Sequence, residues 1–281
     1  GVALLPLGAI DAARVLSTAR PAVVIGVGGY SSGPVVMLAA LRGTPTLLME
    51  QNAMPGLTHR SLARFVRAAA VTYEQAVPFF GGRAFVSGNP VRPEFFESQG
   101  GYDEHSRPPG AARILVFGGS QGAHAINVAM VEAAPRLAAA APGVEITHQT
   151  GERDLEMVRD GYRRAGLQAR VEPFLYAIDG EMKAADFVVC RAGATMLAEL
   201  TAAGRPSILI PLPTATDDHQ RKNAAALVVK GAARMIEQRS LTGELLASAI
   251  EAMAQNGDDR AAMSAAAKRM AKPDAATVIV R

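Results

Sequence analysis

Short apolar runs alternate along this chain with stretches of helical periodicity, and glycine or proline punctuates most of the junctions. That alternation is the signature of βα units laid on a parallel sheet, with helices covering the sheet faces. In the first half, strands are expected at 22–26, 46–49, 70–72 and 85–86, with helices from the loop after Gly26 to Leu41 and over 57–69. The segment Asn89-Pro90-Val91-Arg92-Pro93 then breaks the register, because each proline fixes φ and removes a backbone donor. Residues 98–112 are polar and rich in Gly and Pro, which reads as a linker.

The pattern restarts cleanly beyond it. Strands are expected at 113–117, 145–149, 170–172, 187–190, 207–212 and 233–236. Helices are expected over 123–140, 154–165, 179–185, 194–203, 217–230 and 243–254, with Gly204 and Gly231 as stop signals. The sequence therefore predicts an α/β chain of two Rossmann-like domains. The first spans 1–97 and is incomplete, having lost its opening βα units. The second spans 113–281, and its last helix is expected to pack back on the first domain.

Composition narrows the class of function. Of 281 residues, 49% are apolar and 20% charged, enough to build packed cores rather than a disordered chain. The 29 basic and 26 acidic residues leave a net charge of +3, too balanced for a nucleic-acid binder held by its field. The lone Cys190 forms no internal disulfide, which favours a reducing compartment. The apolar runs fall well short of the ~20 residues that span a bilayer. A soluble cytoplasmic chain is expected, at most attached to a membrane surface. A patch near the start (Leu4, Leu5, Leu7, Ile10, Arg14) suits either an anionic membrane or the buried face of an amphipathic helix.

Glycine-rich loops carry the chemistry. Phe117-Gly118-Gly119-Ser120-Gln121-Gly122 lies between a strand and a long helix, where backbone N–H groups can meet an anion. A tight turn without ligand is the plainer alternative. Cys190-Arg191-Ala192-Gly193-Ala194-Thr195 repeats the geometry at another strand end, and Glu199 lies one turn on, placed to accept both hydroxyls of a ribose or simply to face solvent. Two anion-ready helix starts fit a nucleotide diphosphate better than a lone phosphate. The segment Thr216-Asp217-Asp218-His219-Gln220 opens a further helix, with the acids suited to its positive end. No histidine spacing supports a metal. Gly26-Val27-Gly28-Gly29-Tyr30 imitates a dinucleotide fingerprint, with Glu50 about 20 residues on, but the third glycine is absent. Glu50-Gln51-Asn52 follows an apolar strand, a poor way to build a core and a good way to line a cleft.

Taken in order, Gly28-Gly29-Tyr30-Ser31-Ser32-Gly33-Pro34, Glu50-Gln51-Asn52-Ala53-Met54-Pro55-Gly56, Gly88-Asn89-Pro90-Val91-Arg92, the glycine loop at 118–122, Cys190–Thr195 and His219-Gln220-Arg221-Lys222-Asn223 resemble the MurG family of glycosyltransferases. The resemblance covers nearly the whole chain. It implies the GT-B architecture, two Rossmann-like domains facing across a cleft. It also implies transfer of N-acetylglucosamine from UDP-N-acetylglucosamine to lipid I, giving lipid II at the cytoplasmic face of the bacterial inner membrane. By motif matching, Ser120 and Arg92 contact the nucleotide, and the backbone of Leu175 reads uracil. Ala194, Thr195, Met196, Leu197 and Ala198 line the diphosphate and sugar, and Glu199 holds the ribose. Asn52 and Gln220 bind the N-acetylglucosamine hydroxyls.

One departure matters. The family opens with a Gly-Gly-Thr-Gly-Gly-His loop whose His is a candidate base, and this chain has no such motif, so truncation ahead of Gly1 is expected. Glu50 is then the candidate general base, in an inverting displacement that needs no resident metal or other cofactor. Three rivals stand beside this reading: a NAD-dependent oxidoreductase, another GT-B enzyme such as a glycolipid glycosyltransferase or UDP-N-acetylglucosamine epimerase, and a donor-binding paralogue without activity.

Overall fold

The computed structural model describes residues 5–97, 110–119 and 121–281. The chain divides into two compact units, Gly1–Pro90 with Asp274–Arg281, and Val91–Pro273. The expected linker falls largely outside the described residues, as do Leu4 and Ser120.

The first unit runs α1 (Leu5–Ala19), β1 (Val24–Gly26), α2 (Ser32–Leu41), β2 (Thr46–Glu50), α3 (Leu57–Leu62), β3 (Ala68–Val71) and β4 (Ala84–Val86). Its four strands are all parallel, in the order β1-β2-β3-β4. Leu48, Val36, Leu62, Val66 and Phe80 form the core. Gly26 lets α2 lie directly on the sheet, since a Cβ there would fall 2.8 Å from Val36 and 2.9 Å from Leu48. α1 buries Ala12 and Leu16 and leaves Ile10, Arg14 and Val15 exposed, while the side chains of Leu5 and Leu7 lie outside the described residues.

The expected helix over 57–69 is corrected. It stops at Leu62, and β3 starts at Ala68. Ala68-Ala69-Ala70 has strong intrinsic helix propensity, but pairing between β2 and β4 buries it, and tertiary context overrides propensity.

The second unit runs β5 (Ala112–Phe117), α4 (His124–Ala140), β6 (Val144–Gln149), α5 (Leu155–Ala165), β7 (Ala169–Glu172), α6 (Ile178–Ala184), β8 (Phe187–Cys190), α7 (Ala194–Ala202), β9 (Ser207–Leu209), α8 (His219–Val229), β10 (Ala233–Met235), α9 (Gly243–Gln255) and α10 (Gly257–Met270). Its parallel sheet has the order β10-β9-β8-β5-β6-β7. The strand order reverses between β5 and β8, whose last residues Phe117 and Cys190 are register partners. Such a switch point is where loops leave a sheet in opposite directions and open a crevice.

β9 ends at Leu209, short of the expected 212, because Pro211 cannot donate to a ladder. The helix expected from 217 begins at His219. Asp217 and Asp218 sit before it in left-handed backbone at φ 53° and 57°. α10 has no counterpart in the sequence reading. It is tied down by Arg260, whose Nη1 donates to the carbonyls of Met253 and Ala254 at the end of α9. The last helix, α11 (Ala275–Val280), is grouped with the first unit.

α9 lies against α4 without clearance at its start. A Cβ on Gly243 would fall 2.3 Å from Glu132 Cβ and 2.7 Å from its backbone carbonyl carbon. Backbone cannot yield as a flexible side chain can. Gly243→Ala is therefore expected to lower the stability of this unit by about 1–3 kcal/mol. Denaturant titration would show this as an earlier midpoint at unchanged slope.

Candidate functional site

The crevice at the switch point of the second unit is a cavity of about 530 Å³. Its lining includes Gly119, Gly122, His124, Arg191, Met196 and Gln220. Gly118, Gly119 and Gly122 form one wall, and two of them have positive φ, 94° at Gly119 and 73° at Gly122. Gly122 also packs backbone on backbone, since a Cβ there would fall 1.8 Å from the Thr150 carbonyl oxygen. Gln149, at the end of β6, fixes the loop from below. Its Nε2 donates to Gly119 O at 2.9 Å, and its Oε1 accepts from Leu175 N–H at 2.9 Å. Leu175 therefore has its N–H already engaged, and a uracil could be read there only through the carbonyl.

The opposite wall is the start of α7. Ala194, Thr195 and Met196 lie on its first turn, with Thr195 exposed and Met196 lining the cavity. Leu197 does not line it. Its side chain is 1% exposed and belongs to the core, while its N–H closes the helix onto Gly193 O. That expectation is corrected by helical geometry, which turns consecutive residues to different faces. Ala198 and Glu199 are half-buried. Burial raises the Glu199 carboxyl above its usual value, opposed by the charge of Arg92. Arg92 thus belongs with Glu199 in this unit, its guanidinium 5.2 Å from the Phe95 ring centroid.

Gln220 Oε1 accepts from Leu212 N–H at 3.0 Å and Ala192 N–H at 3.3 Å, which ties two loops to the start of α8. Its amide nitrogen is then the end suited to a sugar hydroxyl. His219 Nδ1 pairs with Thr216 O at 2.7 Å rather than facing a metal. Among the described residues, no group of three or more His, Cys, Asp or Glu side chains could hold a metal ion.

Behind the glycine loop lies a polar network that the sequence did not disclose. His124, the first residue of α4, places Nδ1 at 2.9 Å from Asp154 Oδ2. Asn127 donates from Nδ2 to the same carboxylate at 2.8 Å and to Thr150 O at 2.9 Å. Its Oδ1 then accepts from His148 Nε2, 3.0 Å away, and Tyr162 OH donates to His148 Nδ1 at 2.7 Å. Burial raises the Asp154 carboxyl, but bonds from Asn127 and His124 and the charges of His124 and Arg153 outweigh it, holding Asp154 below the usual value. Burial pushes His148 down to about 3, against the opposing pull of Asp154.

In the first unit, Glu50 has a different occupation from the one expected. It is 3% exposed. Oε2 lies 2.7 Å from His59 Nδ1 and accepts from Gly56 N–H, while Oε1 accepts from the backbone N–H and Nδ2 of Asn52. A carboxylate so enclosed staples the loop 50–56 and orients His59, and it has no oxygen left facing an acceptor hydroxyl. Asn52 is held by the same staple, with its amide donating to Glu50.

The acid limb of stability follows from His148. Its folded value lies below its unfolded one, so between about pH 6.5 and about pH 3 the unfolded chain binds more protons than the folded one. Stability conferred by the neutral ring is full above that window and is lost as pH falls through it. The expected slope is at most about 1.4 kcal/mol per pH unit. Melting temperatures measured against pH should show it, and His148→Gln should flatten that limb.

Comparison with known proteins agrees with this geometry. Residues 113–279 match the glycosyltransferase family 28 C-terminal domain, and residues 4–71 match the family 28 N-terminal domain. A relative from Anaeromyxobacter sp. (strain Fw109-5) is 48% identical over 98% of this chain and 72% of its own length. It is named UDP-N-acetylglucosamine–N-acetylmuramyl-(pentapeptide) pyrophosphoryl-undecaprenol N-acetylglucosamine transferase. The crystal structure of Acinetobacter baumannii MurG superposes with a TM-score of 0.82 at 29% identity, covering 100% of this chain and 80% of that one. A UDP-GlcNAc 2-epimerase from Neisseria meningitidis, bound to UDP-GlcNAc, covers 99% of this chain and 80% of its own at a TM-score of 0.68, but at 11% identity it shares the fold alone.

Proposed function

This chain belongs to glycosyltransferase family 28, and from that premise we propose that it moves N-acetylglucosamine from UDP-N-acetylglucosamine to lipid I, forming lipid II in peptidoglycan synthesis. Lipid I is undecaprenyl-pyrophosphoryl-N-acetylmuramyl-pentapeptide, and its 4-hydroxyl attacks the anomeric carbon with inversion. The carbon–oxygen bond to the diphosphate breaks, and UDP leaves. The observation that carries this reading is the cavity at the switch point, with a glycine loop on one wall and the start of α7 on the other. Charge grows on the departing diphosphate, so preorganised N–H groups at those two helix starts stabilise the transition state more than the ground state. Arg92, close enough to act on Glu199, adds a cation. The transfer is proposed to run on these groups without a resident metal.

Glu199 is assigned to the ribose hydroxyls, Gln220 Nε2 and Asn52 to the sugar, and Ser120 to the nucleotide. The undecaprenyl tail anchors the acceptor in a bilayer, so the chain is proposed to meet the inner membrane peripherally from the cytoplasmic side. The exposed face of α1 offers the apolar side chains of Ile10 and Val15 to that surface, with Arg14 beside them paired to Asp11 at 3.8 Å. No helix among the described residues is long and apolar enough to cross it. The dinucleotide reading is not favoured, since the fingerprint lacks its third glycine. The epimerase reading is not favoured either, since that likeness stops at the fold.

Calorimetry tests the donor assignment. UDP-N-acetylglucosamine should give heat, UDP-glucose less and NAD none. Silence with every UDP-sugar would contradict it. Glu199→Gln should weaken UDP binding roughly tenfold, the loss of a charged acceptor, and should narrow the preference for UDP over its 2′-deoxy analogue. A transfer assay with lipid I in excess chelator should retain activity if no resident metal is needed.

A further inference from the structure

His124, two residues past the glycine loop, has features that opening a helix does not require. Its side chain is 55% exposed, yet Nδ1 is fixed on a carboxylate that is only 8% exposed. An ionised carboxylate can only accept, so Nδ1 carries the proton and donates. Nε2, on the far side of the ring, is then a lone pair in the neutral imidazole and an N–H donor in the cation. The ring lines the cavity at the first position of α4.

Asp154 is itself held rigidly by Asn127, and through Asn127 by His148 and Tyr162 in the core. The network therefore sets the orientation of an exposed side chain from within the hydrophobic interior. A histidine that only capped the glycine loop would need no such backing. The other charged groups nearby come from three segments. Glu152 and Arg153 lie exposed on the turn with Asp154, Arg153 Nε being 3.9 Å from Asp154. Arg191 faces the same cavity from the loop after β8, its Nη1 engaged on Ile210 O. Glu237 and Arg239, flanking cavity-lining Gln238, are paired with each other at 2.6 Å.

We propose that His124 is a proton-dependent ligand for the donor diphosphate, with Asp154 fixing Nδ1–H and protonated Nε2 donating to a phosphoryl oxygen. This deepens the donor reading and rests on it. Binding then takes up a proton when the free ring is neutral, and affinity falls as pH rises. The same contact favours departure of the diphosphate, because the donor strengthens as charge collects on the leaving oxygens.

The probe is UDP-N-acetylglucosamine, whose phosphates are both esterified and keep their charge across the span in which imidazole titrates. Calorimetric titrations from about pH 5 to about pH 8, in two buffers of different ionisation enthalpy, would use the wild-type chain, His124→Gln and His124→Arg, with uridine as the phosphate-free control. The wild type should bind roughly tenfold or more tightly at the acid end, with proton uptake. His124→Gln should bind weakly throughout, and His124→Arg tightly and without pH dependence. Uridine should bind all three alike. If His124→Gln keeps the wild-type pH slope, or uridine shows that slope too, the inference fails while the donor site stands. If the wild type gives no heat with UDP-N-acetylglucosamine at any pH, the donor reading falls and takes this inference with it.

Discussion

The seating of the glycine loop on the end of β6 is the constraint from which the donor site follows. Gly122 lies against the Thr150 carbonyl at a distance no side chain allows, and a Cβ on Gly151 would in turn fall 2.4 Å from Gln121 O. This mutual contact, backbone to backbone, fixes where α4 begins. Gln149 adds the two amide bonds that hold Gly119 and Leu175. The position of α4 then sets the positions of His124 and Asn127. Without that seating the helix start would have no fixed aim, and preorganised N–H groups are worth most when they need not reorganise.

The same region joins the core to the cavity. His148 and Tyr162 are fully buried polar groups, tolerable only because each is bonded. They support Asn127, which supports Asp154, which orients the exposed ring. A substitution at any of these sites acts on both stability and the site. Acid sensitivity is a consequence of this design, because a neutral buried histidine is part of the support.

Much of this was legible in the sequence. The βα alternation gave both parallel sheets, and the glycine runs marked the two loops at the switch point, because a strand followed by Gly-rich backbone and a helix is a local signal. What was missed depends on partners far apart in the chain. Gln149 meets Leu175 from 26 residues away and His124 meets Asp154 from 30, and no spacing rule announces either pair. Glu50 is expected as a general base because its polar neighbours suggest a cleft, whereas one of them, Asn52, donates to it along with Gly56, and His59 pairs with it. Leu197 was carried along with its motif, although its place on α7 turns it into the core. Asp217 and Asp218 suited a helix start by charge, but their left-handed backbone puts them ahead of it.

Amide hydrogen exchange, followed with and without UDP-N-acetylglucosamine, tests most directly whether this crevice is the donor site. Peptides covering 123–127 and 191–199 should exchange more slowly with the nucleotide sugar present, because both segments border the cavity it would fill. Unchanged exchange in both segments, with protection arising elsewhere in the chain, would contradict the account.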